Sequence, residues 1–419
     1  MQTSSAQTRP RPTHARPRIL FVTRMMPWPL HGGARLRDFN MLQALADGFE
    51  VDLLTVGTNQ PQVAALCRDV HLPTPFYGDE TPWLAVKRWA AAAAETMTGP
   101  EPLWLTSKTN GALRRAIRQR ADNGGYDLVI ASELSSAAVL LGHTATPVIY
   151  DAHNCEWRLL DRTRLEQTGL RRRVLDREVP RLREVERRAV TEAQMVFVTA
   201  QSDLDELQAL AGADLAPHRI IPSTIDLERY AAVRAATPEP ATILVPGKFD
   251  WQPNLIGLDW FAAEVVPALR SRMQGARFRV IVAGRMTQAT QTRLDAVPEI
   301  TAMRNPDDML PFFARAAVIS VPVLVSSGTR LRIAEGLACR RPIVSTTSGA
   351  AGLDPGDAMP WLVADGTEAH ADAIARVLTD DALSRRIAQD GWAVAQTLDW
   401  TSLRTPLAGA IDEVLGRKP

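Results

Sequence analysis

From Val318 to Thr346 the chain reads VISVPVLVSSGTRLRIAEGLACRRPIVST, an apolar strand, a turn of small residues, a helix and a second strand. The turn Ser326-Ser327-Gly328-Thr329 aims the start of the helix at whatever lies above the sheet. The free N–H groups of a helix N-terminus form an anion site. Glu335 follows one to two turns on, where its carboxylate can reach a sugar or ribose hydroxyl beside that anion. A phosphate site next to a hydroxyl-binding acid is the chemistry of a nucleotide-linked ligand.

Two further places carry residue types suited to such a ligand. Gly32-Gly33 opens a helix after the first strand and a Pro-rich loop, and glycine lets backbone N–H groups approach a phosphate or sugar closely. His153 ends a strand, the position at which ligands meet open α/β sheets, and imidazole can hydrogen-bond a sugar hydroxyl. Asp151 is expected to shape that loop through an Asx-type bond. Asp307-Asp308 reads as a helix cap, so no DxD-type metal motif stands at a plausible site.

Strands and helices alternate throughout the elements that must position these groups. Apolar runs at 18–23, 51–56, 126–132, 147–153, 195–200 and 220–225 predict the strands of a first half. Runs at 242–246, 277–283, 300–304, 318–323, 342–346 and 361–364 predict those of a second. Continuous rather than alternating hydrophobicity predicts parallel sheets covered on both faces. Helical patterns are expected at 34–46, 82–98, 113–121, 254–269, 331–339 and 402–415, with one long helix over 158–193. The domains follow: a disordered tail over 1–16, an N-terminal Rossmann-like domain over 17–230 and a linker over 231–241. A C-terminal Rossmann-like domain spans 242–398, and a terminal helix over 399–419 packs back on the first domain. The expected architecture is α/β, two Rossmann-like αβα domains whose parallel sheets face a central cleft.

Composition removes other classes. With 419 residues, two domains are the prior. A formal net charge of +1 gives no general affinity for nucleic acid. Cys67, Cys155 and Cys339 lie far apart with no CxxC, which argues against a zinc site or disulfide framework and suits a reducing, cytoplasmic compartment. No run reaches the ~18 apolar residues of a membrane span. The 158–193 helix interleaves Arg171, Arg172, Arg173, Arg181, Arg183, Arg187 and Arg188 with Glu178, Glu184 and Glu186. A solvated, ion-paired helix is the favoured reading, and contact with an anionic membrane surface is the alternative.

SSGTRLRIAEGLACRRPIVST, followed by Gly349-Ala350-Ala351-Gly352-Leu353, resembles the GT-B glycosyltransferases of retaining family 4, the group 1 glycosyltransferases. Asp151-Ala152-His153-Asn154, Trp251-Gln252-Pro253-Asn254 and DMLPFFARA at 308–316 support it, and the likeness is to the subgroup associated with bacterial exopolysaccharide assembly. The resemblance implies transfer of a sugar from a UDP- or GDP-linked donor to a saccharide or lipid-linked saccharide acceptor, with retention. It implies no cofactor and no metal.

By the same resemblance the Gly32-Gly33 loop approaches the donor phosphate, and His153 lies by the transferred sugar. Lys248 clamps the diphosphate, and Arg330 beside Gly328-Thr329 supplies the charge of a lysine that the family carries and this chain lacks. Glu335 binds ribose hydroxyls, and Met303-Arg304 lies at the level of the base. Ser327 stands where the family has a first glutamate, so the serine hydroxyl, or the N–H groups of Gly328 and Thr329, are expected to bind the donor sugar in place of that carboxylate. His153, Lys248 and Glu335 are the expected catalytic residues; Gly32, Gly33, Arg304, Ser327, Gly328, Thr329 and Arg330, with Glu335, are the expected donor contacts. A nucleotide-sugar epimerase on the same fold and a catalytically degenerate nucleotide-sugar-binding scaffold remain as alternatives, as does peripheral contact with the inner membrane face.

Overall fold

Strand runs that are apolar throughout become strands buried on both faces, and β4 (Leu128–Ser132) and β5 (Val148–Ala152) have no exposed residue. The computed structural model describes residues 16–30, 32–73, 90, 101–109, 111–165, 167–324, 331–350, 353 and 360–417. Two all-parallel sheets organise them. The first has the order β3-β2-β1-β4-β5-β6-β7 and adds β1 (Arg18–Val22), β2 (Glu50–Leu54), β3 (Asp69–His71), β6 (Met195–Val198) and β7 (His218–Ile220). The second has the order β10-β9-β8-β11-β12-β13. Its strands are β8 (Thr242–Lys248), β9 (Arg279–Arg285), β10 (Ile300–Arg304), β11 (Val318–Val321), β12 (Ile343–Ser345) and β13 (Leu362–Val363). In each sheet the order reverses beside the first strand, between β1 and β4 and between β8 and β11. Beyond the carboxyl ends at such a point a crevice opens in this kind of fold.

The helices that bear on the crevice are α1 (Gly33–Ala46), α2 (Glu133–Leu140), α3 (Glu156–Leu165), α4 (Gly169–Glu192) and α5 (Leu331–Ala338). Helix α6 (Asp381–Thr397) packs beside α5, and α7 (Arg404–Val414) closes the described chain. Leu403, Leu407, Ala410 and Ile411 bury against Ile19, Phe21, Leu42 and Leu45, so the terminal helix belongs to the core of the first sheet. Each fully buried aliphatic of this kind is worth about 1.5–3 kcal/mol. The chain therefore crosses between halves twice, and the crossings are paired. Ile225 bonds the backbone of Leu398 and Trp400, both at 2.9 Å.

The structure departs from the sequence expectations at several elements. The single helix over 158–193 is two. Gly169 sits at φ 62°, a conformation that ends one helix and starts another running back beside it. The strand expected at 220–225 stops at Ile220, because Pro222 cannot donate to the ladder. The stretch 231–241 is no free tether: Ala231–Ala235 is helical, and Tyr230 and Val233 are buried in the second core. The short β3 carries too little pattern to be foreseen. Of the helix expected at 82–98 only Ala90 is described, as helical, and nearly all of the expected tail lies outside the described residues. Among those described, no helix is long and apolar enough to cross a membrane.

Candidate functional site

Helix α1 is buried on nearly every side, and its polar residues Arg37, Asp38 and Asn40 are buried with it. A polar group in such a place must find a partner. Arg37 donates its Nε to both oxygens of Asp151, at 3.2 and 3.0 Å, and its Nη1 to the Ile221 carbonyl at 2.7 Å. Asp38 accepts from Ser132 Oγ at 2.6 Å and from Thr23 Oγ1 at 3.1 Å. His153 Nε2 lies between these acids, 3.1 Å from Asp151 Oδ2 and 3.3 Å from Asp38 Oδ1. Four elements thus converge: the end of β1, α1, the end of β4 and the end of β5. Asp151 makes no Asx-type bond. It is held by Arg37, because its side chain points into the crevice floor, where the guanidinium is its nearest donor.

The electrostatics follow from that enclosure. Burial disfavours a charged imidazole, yet Asp38 and Asp151 outweigh it and raise His153 to about 10. Burial likewise works against the Asp151 carboxylate, but Arg37 and His153 hold it well below its ordinary range. The two acids thus favour the charged form of the His153 ring. Its Nδ1 has no hydrogen-bond partner among the described residues, and Glu133 Oε1 is 3.9 Å away. Glu133 is buried at φ 65° and ion-paired with Arg24, which with Lys108 and His153 keeps it near 2 against the cost of burial. A side-chain-bearing residue held at positive φ stores strain of a kind that clusters at working sites.

Across the crevice, the second half contributes cations. Lys248 ends β8 exposed, its carbonyl accepting from Asn254 Nδ2 at 2.8 Å, and among the described residues its ammonium has no partner. Arg285 ends β9 and pairs with Asp250 at 2.7 Å. Burial, then the charges of Arg285 and Arg24, hold the Arg35 guanidinium below its ordinary range. Groups of like charge from both halves thus share one space, an arrangement that an anion relieves. Arg332 in α5 is pushed down to about 10 by burial, against the pull of Glu335, and has no hydrogen-bond or ion-pair partner among the described residues.

Glu335, also in α5, accepts from Tyr230 Oη at 2.9 Å. Burial raises its pKa, while that bond, Arg229 and Arg332 lower it. Gly32 adopts φ 102° and ψ 157°, open only to glycine, and Gly33 leaves just 3.1 Å between its would-be Cβ and Leu331 Cδ1. The Gly32-Gly33 turn therefore abuts the first residue of α5. Arg304 ends the edge strand β10, with its side chain on Gln291 at 3.2 Å.

The structure thus joins His153 to α1, and Gly32 and Gly33 to the helix of Glu335, with Lys248 at the neighbouring strand end. Ser327, Gly328, Thr329 and Arg330 lie outside the described residues. Arg24, Arg35, Arg37, Asp38, Glu133, Tyr230 and Arg332 went unnoticed in the sequence. Only Arg332 carried a signal, the basic position two residues after Arg330. Asp308 is not the N-cap of the following helix, a position held by Met309; its carboxylate accepts from the Leu310 N–H at 3.0 Å, two residues on.

Asp38, Asp151 and His153 form the one trio of acids or histidines, among the described residues, whose ligand atoms lie within 4.8 Å of one another. They fit a metal poorly. Asp151 has both oxygens engaged by the Arg37 guanidinium, and Asp38 accepts from two hydroxyls.

Comparison with known proteins bears on both halves. The Glycosyltransferase Family 4 model matches residues 31–229, and the model for Glycosyl transferases group 1 matches residues 240–380. No curated protein matches the chain. Among solved structures, Anabaena HepE in complex with UDP-glucose is similar at 16% identity over 94% of this chain and 99% of its own, with a TM-score of 0.64. WaaG, a glycosyltransferase involved in lipopolysaccharide biosynthesis, gives 16%, 94%, 99% and 0.62. A Rickettsia africae glycosyltransferase gives 11%, 97%, 100% and 0.63. These likenesses show the GT-B fold. With one family model on each half, the chain belongs to the group 1, family 4 glycosyltransferases.

Proposed function

We propose that this glycosyltransferase moves a sugar from a nucleoside-diphosphate donor to a hydroxyl of a saccharide or lipid-linked saccharide, with retention and without a metal ion, in polysaccharide or glycoconjugate synthesis. The observation that carries it is the set of cations that both halves bring to their strand and helix ends, Arg35 within the field of Arg285, Lys248 paired in register with Arg285, and Arg332 in the helix of a hydroxyl-accepting Glu335. A diphosphate leaving group would neutralise those charges, the service a metal gives in other transferases. Glu335 would take the ribose hydroxyls through the oxygen that Tyr230 leaves free. The His153 Nδ1–H would donate to a hydroxyl of the transferred sugar.

Asp151 and Glu133 are both committed to arginines, which favours a front-side displacement over a carboxylate nucleophile. In that step the bond from the anomeric carbon to the phosphate oxygen breaks. The acceptor oxygen bonds the same face, and its proton passes to the departing phosphate. The UDP-glucose held by the HepE neighbour makes a UDP-sugar the first donor to try.

A thermal-shift panel of UDP-, GDP- and ADP-sugars tests binding, since a ligand of the folded state must raise its stability. Product analysis in chelator, with and without acceptor, tests the reaction. Lys248→Ala/Glu335→Ala should abolish transfer and leave the fold intact. Full activity in that variant, or conversion of donor without acceptor, overturns the assignment.

A further inference from the structure

The Arg37 guanidinium is only 2% exposed, and a charge so placed persists only where its donors are matched. They go to two partners far apart in the chain. One edge, Nε and Nη2, forks onto the Asp151 carboxylate 114 residues away, with Nε at 3.2 and 3.0 Å from its oxygens. The remaining nitrogen, Nη1, donates to the Ile221 carbonyl, 184 residues away, at 2.7 Å.

The His153 ring shows what the fork controls. Asp151 and His153 stand two residues apart at the end of β5, so their side chains leave the same face. His153 Nε2 meets Asp151 Oδ2 at 3.1 Å, Ser132 Oγ at 3.1 Å and Asp38 Oδ1 at 3.3 Å. Asp38 is fixed by two hydroxyls, those of Ser132 and Thr23. Asp151 has no such second support: among the described residues, Arg37 and His153 are the only side chains that bond its carboxylate. A ring anchored at Nε2 has its Nδ1 aimed, and Nδ1 is the nitrogen left without a partner among the described residues. The other anchor of Arg37 faces away from the ring. Ile221 continues the ladder from β7, its N–H donating to the Val198 carbonyl at 2.8 Å, and Ile225 then opens the paired crossing between the halves. One turn along α1, Asn40 Nδ2 donates to the Thr224 carbonyl at 2.7 Å. Helix α1 thus holds the acid behind His153 and the root of the crossing together.

We propose that Arg37 is a positioning residue for sugar transfer: it fixes the orientation of His153 through Asp151 and ties that orientation to the chain entering the crossing between the halves. Geometry, not charge alone, is what the residue supplies. A lysine ammonium is a point donor and cannot hold a carboxylate edge and a carbonyl in one plane, as the guanidinium fork does. The inference rests on the reading in which His153 meets the transferred sugar, and the test keeps the two apart.

The test uses the full chain. Side-chain NMR of isotope-labelled histidine reads the ligand-free ring, its signals assigned by their absence from His153→Ala, and UDP released from UDP-glucose with water as acceptor reads turnover. Arg37→Met and Arg37→Lys should each shift or broaden the His153 signals. Both should lower kcat about 100-fold, as for a misplacement near 1 Å, with KM for UDP-glucose within about three-fold of the parent. Asn40→Ala removes a buried bond from the same helix; it should lower the unfolding midpoint yet leave the His153 signals in place and kcat within about three-fold. Should Arg37→Met not fold, because it strands the Asp151 charge, Arg37→Gln/Asp151→Asn removes both charges, keeps hydrogen-bonding groups and should show the same loss of kcat. Parent-like ring signals or rate in Arg37→Lys or in the folded double variant would overturn the proposal. So would a loss carried by KM alone, or the same ring change in Asn40→Ala. If His153→Ala turns over UDP-glucose as the parent does, the reading of His153 fails and the positioning role with it; if His153→Ala is slow and the Arg37 variants are not, the positioning role fails alone. A parent that leaves UDP-glucose intact overturns the choice of donor, and the ring signals then decide the role of Arg37.

Discussion

Replacing Asp38 by asparagine should unlock the charge on His153. The substitution keeps size and hydrogen-bonding capacity and removes one of the two carboxylates beside the ring. At 3.3 Å the pair's attraction is about 5 kcal/mol for an effective dielectric near 20. That is an upper bound, since the asparagine oxygen still accepts a hydrogen bond. The working expectation is that His153 falls from about 10 by about 1–3 pH units, or roughly 1.4–4 kcal/mol.

The sign for stability follows. A histidine whose folded pKa lies above its ordinary 6.5 contributes stability that is complete below 6.5 and is lost as pH rises through about 10. The penalty of Asp38→Asn is therefore largest below pH 6.5 and shrinks as pH rises toward 10. Side-chain NMR of isotope-labelled histidine reads the titration, and denaturant unfolding across pH reads the stability. A His153 that titrates near 6.5 in the parent chain, or that does not move in the variant, would refute the buried imidazolium. So would a penalty that grows toward alkaline pH.

Other substitutions probe the second half and the seam. Tyr230→Phe leaves the half-buried Glu335 without its donor and should lower stability by about 1 kcal/mol, measured by unfolding, while weakening binding of the nucleotide moiety. Arg332→Met removes a charge that burial holds below its ordinary range and that has no hydrogen-bond or ion-pair partner among the described residues. Ligand-free stability should hold or rise, and nucleotide-sugar affinity should fall roughly 10–100-fold by calorimetry. Gly32→Ala forces a Cβ into a backbone region reserved for glycine and should cost about 1–3 kcal/mol, read as a lower unfolding midpoint.

Much of the scaffold was legible because it rests on local rules. Continuous apolar runs announced strands covered on both faces, and alternation with helices announced parallel sheets. Gly32-Gly33, His153 and Lys248 stand where strands end or helices begin, and Glu335 stands one turn into a helix, which is why they could be singled out in the sequence; their roles are proposals. The failures were local too. Gly169 looked like one weak residue in a 36-residue helical pattern, and only its positive φ shows that it turns the chain back.

The sequence by itself determined the two α/β halves, the positions of their strand ends and the residue types offered there, because hydrophobic periodicity and turn chemistry act over a few residues. Tertiary structure decided which of those residues meet and in what charge state. Arg37 reaches Asp151 across 114 residues of chain, and Tyr230 reaches Glu335 across 105. No spacing rule connects such pairs; the strand order and the twice-crossed seam do. Charge is decided there as well, since the state of His153 depends on burial and on two carboxylates from different elements. The arginines of α3 and α4 make the same point. In sequence they are one basic run, and only folding shows which have found an acid, as Arg172 has Asp176 and Arg187 has Glu184.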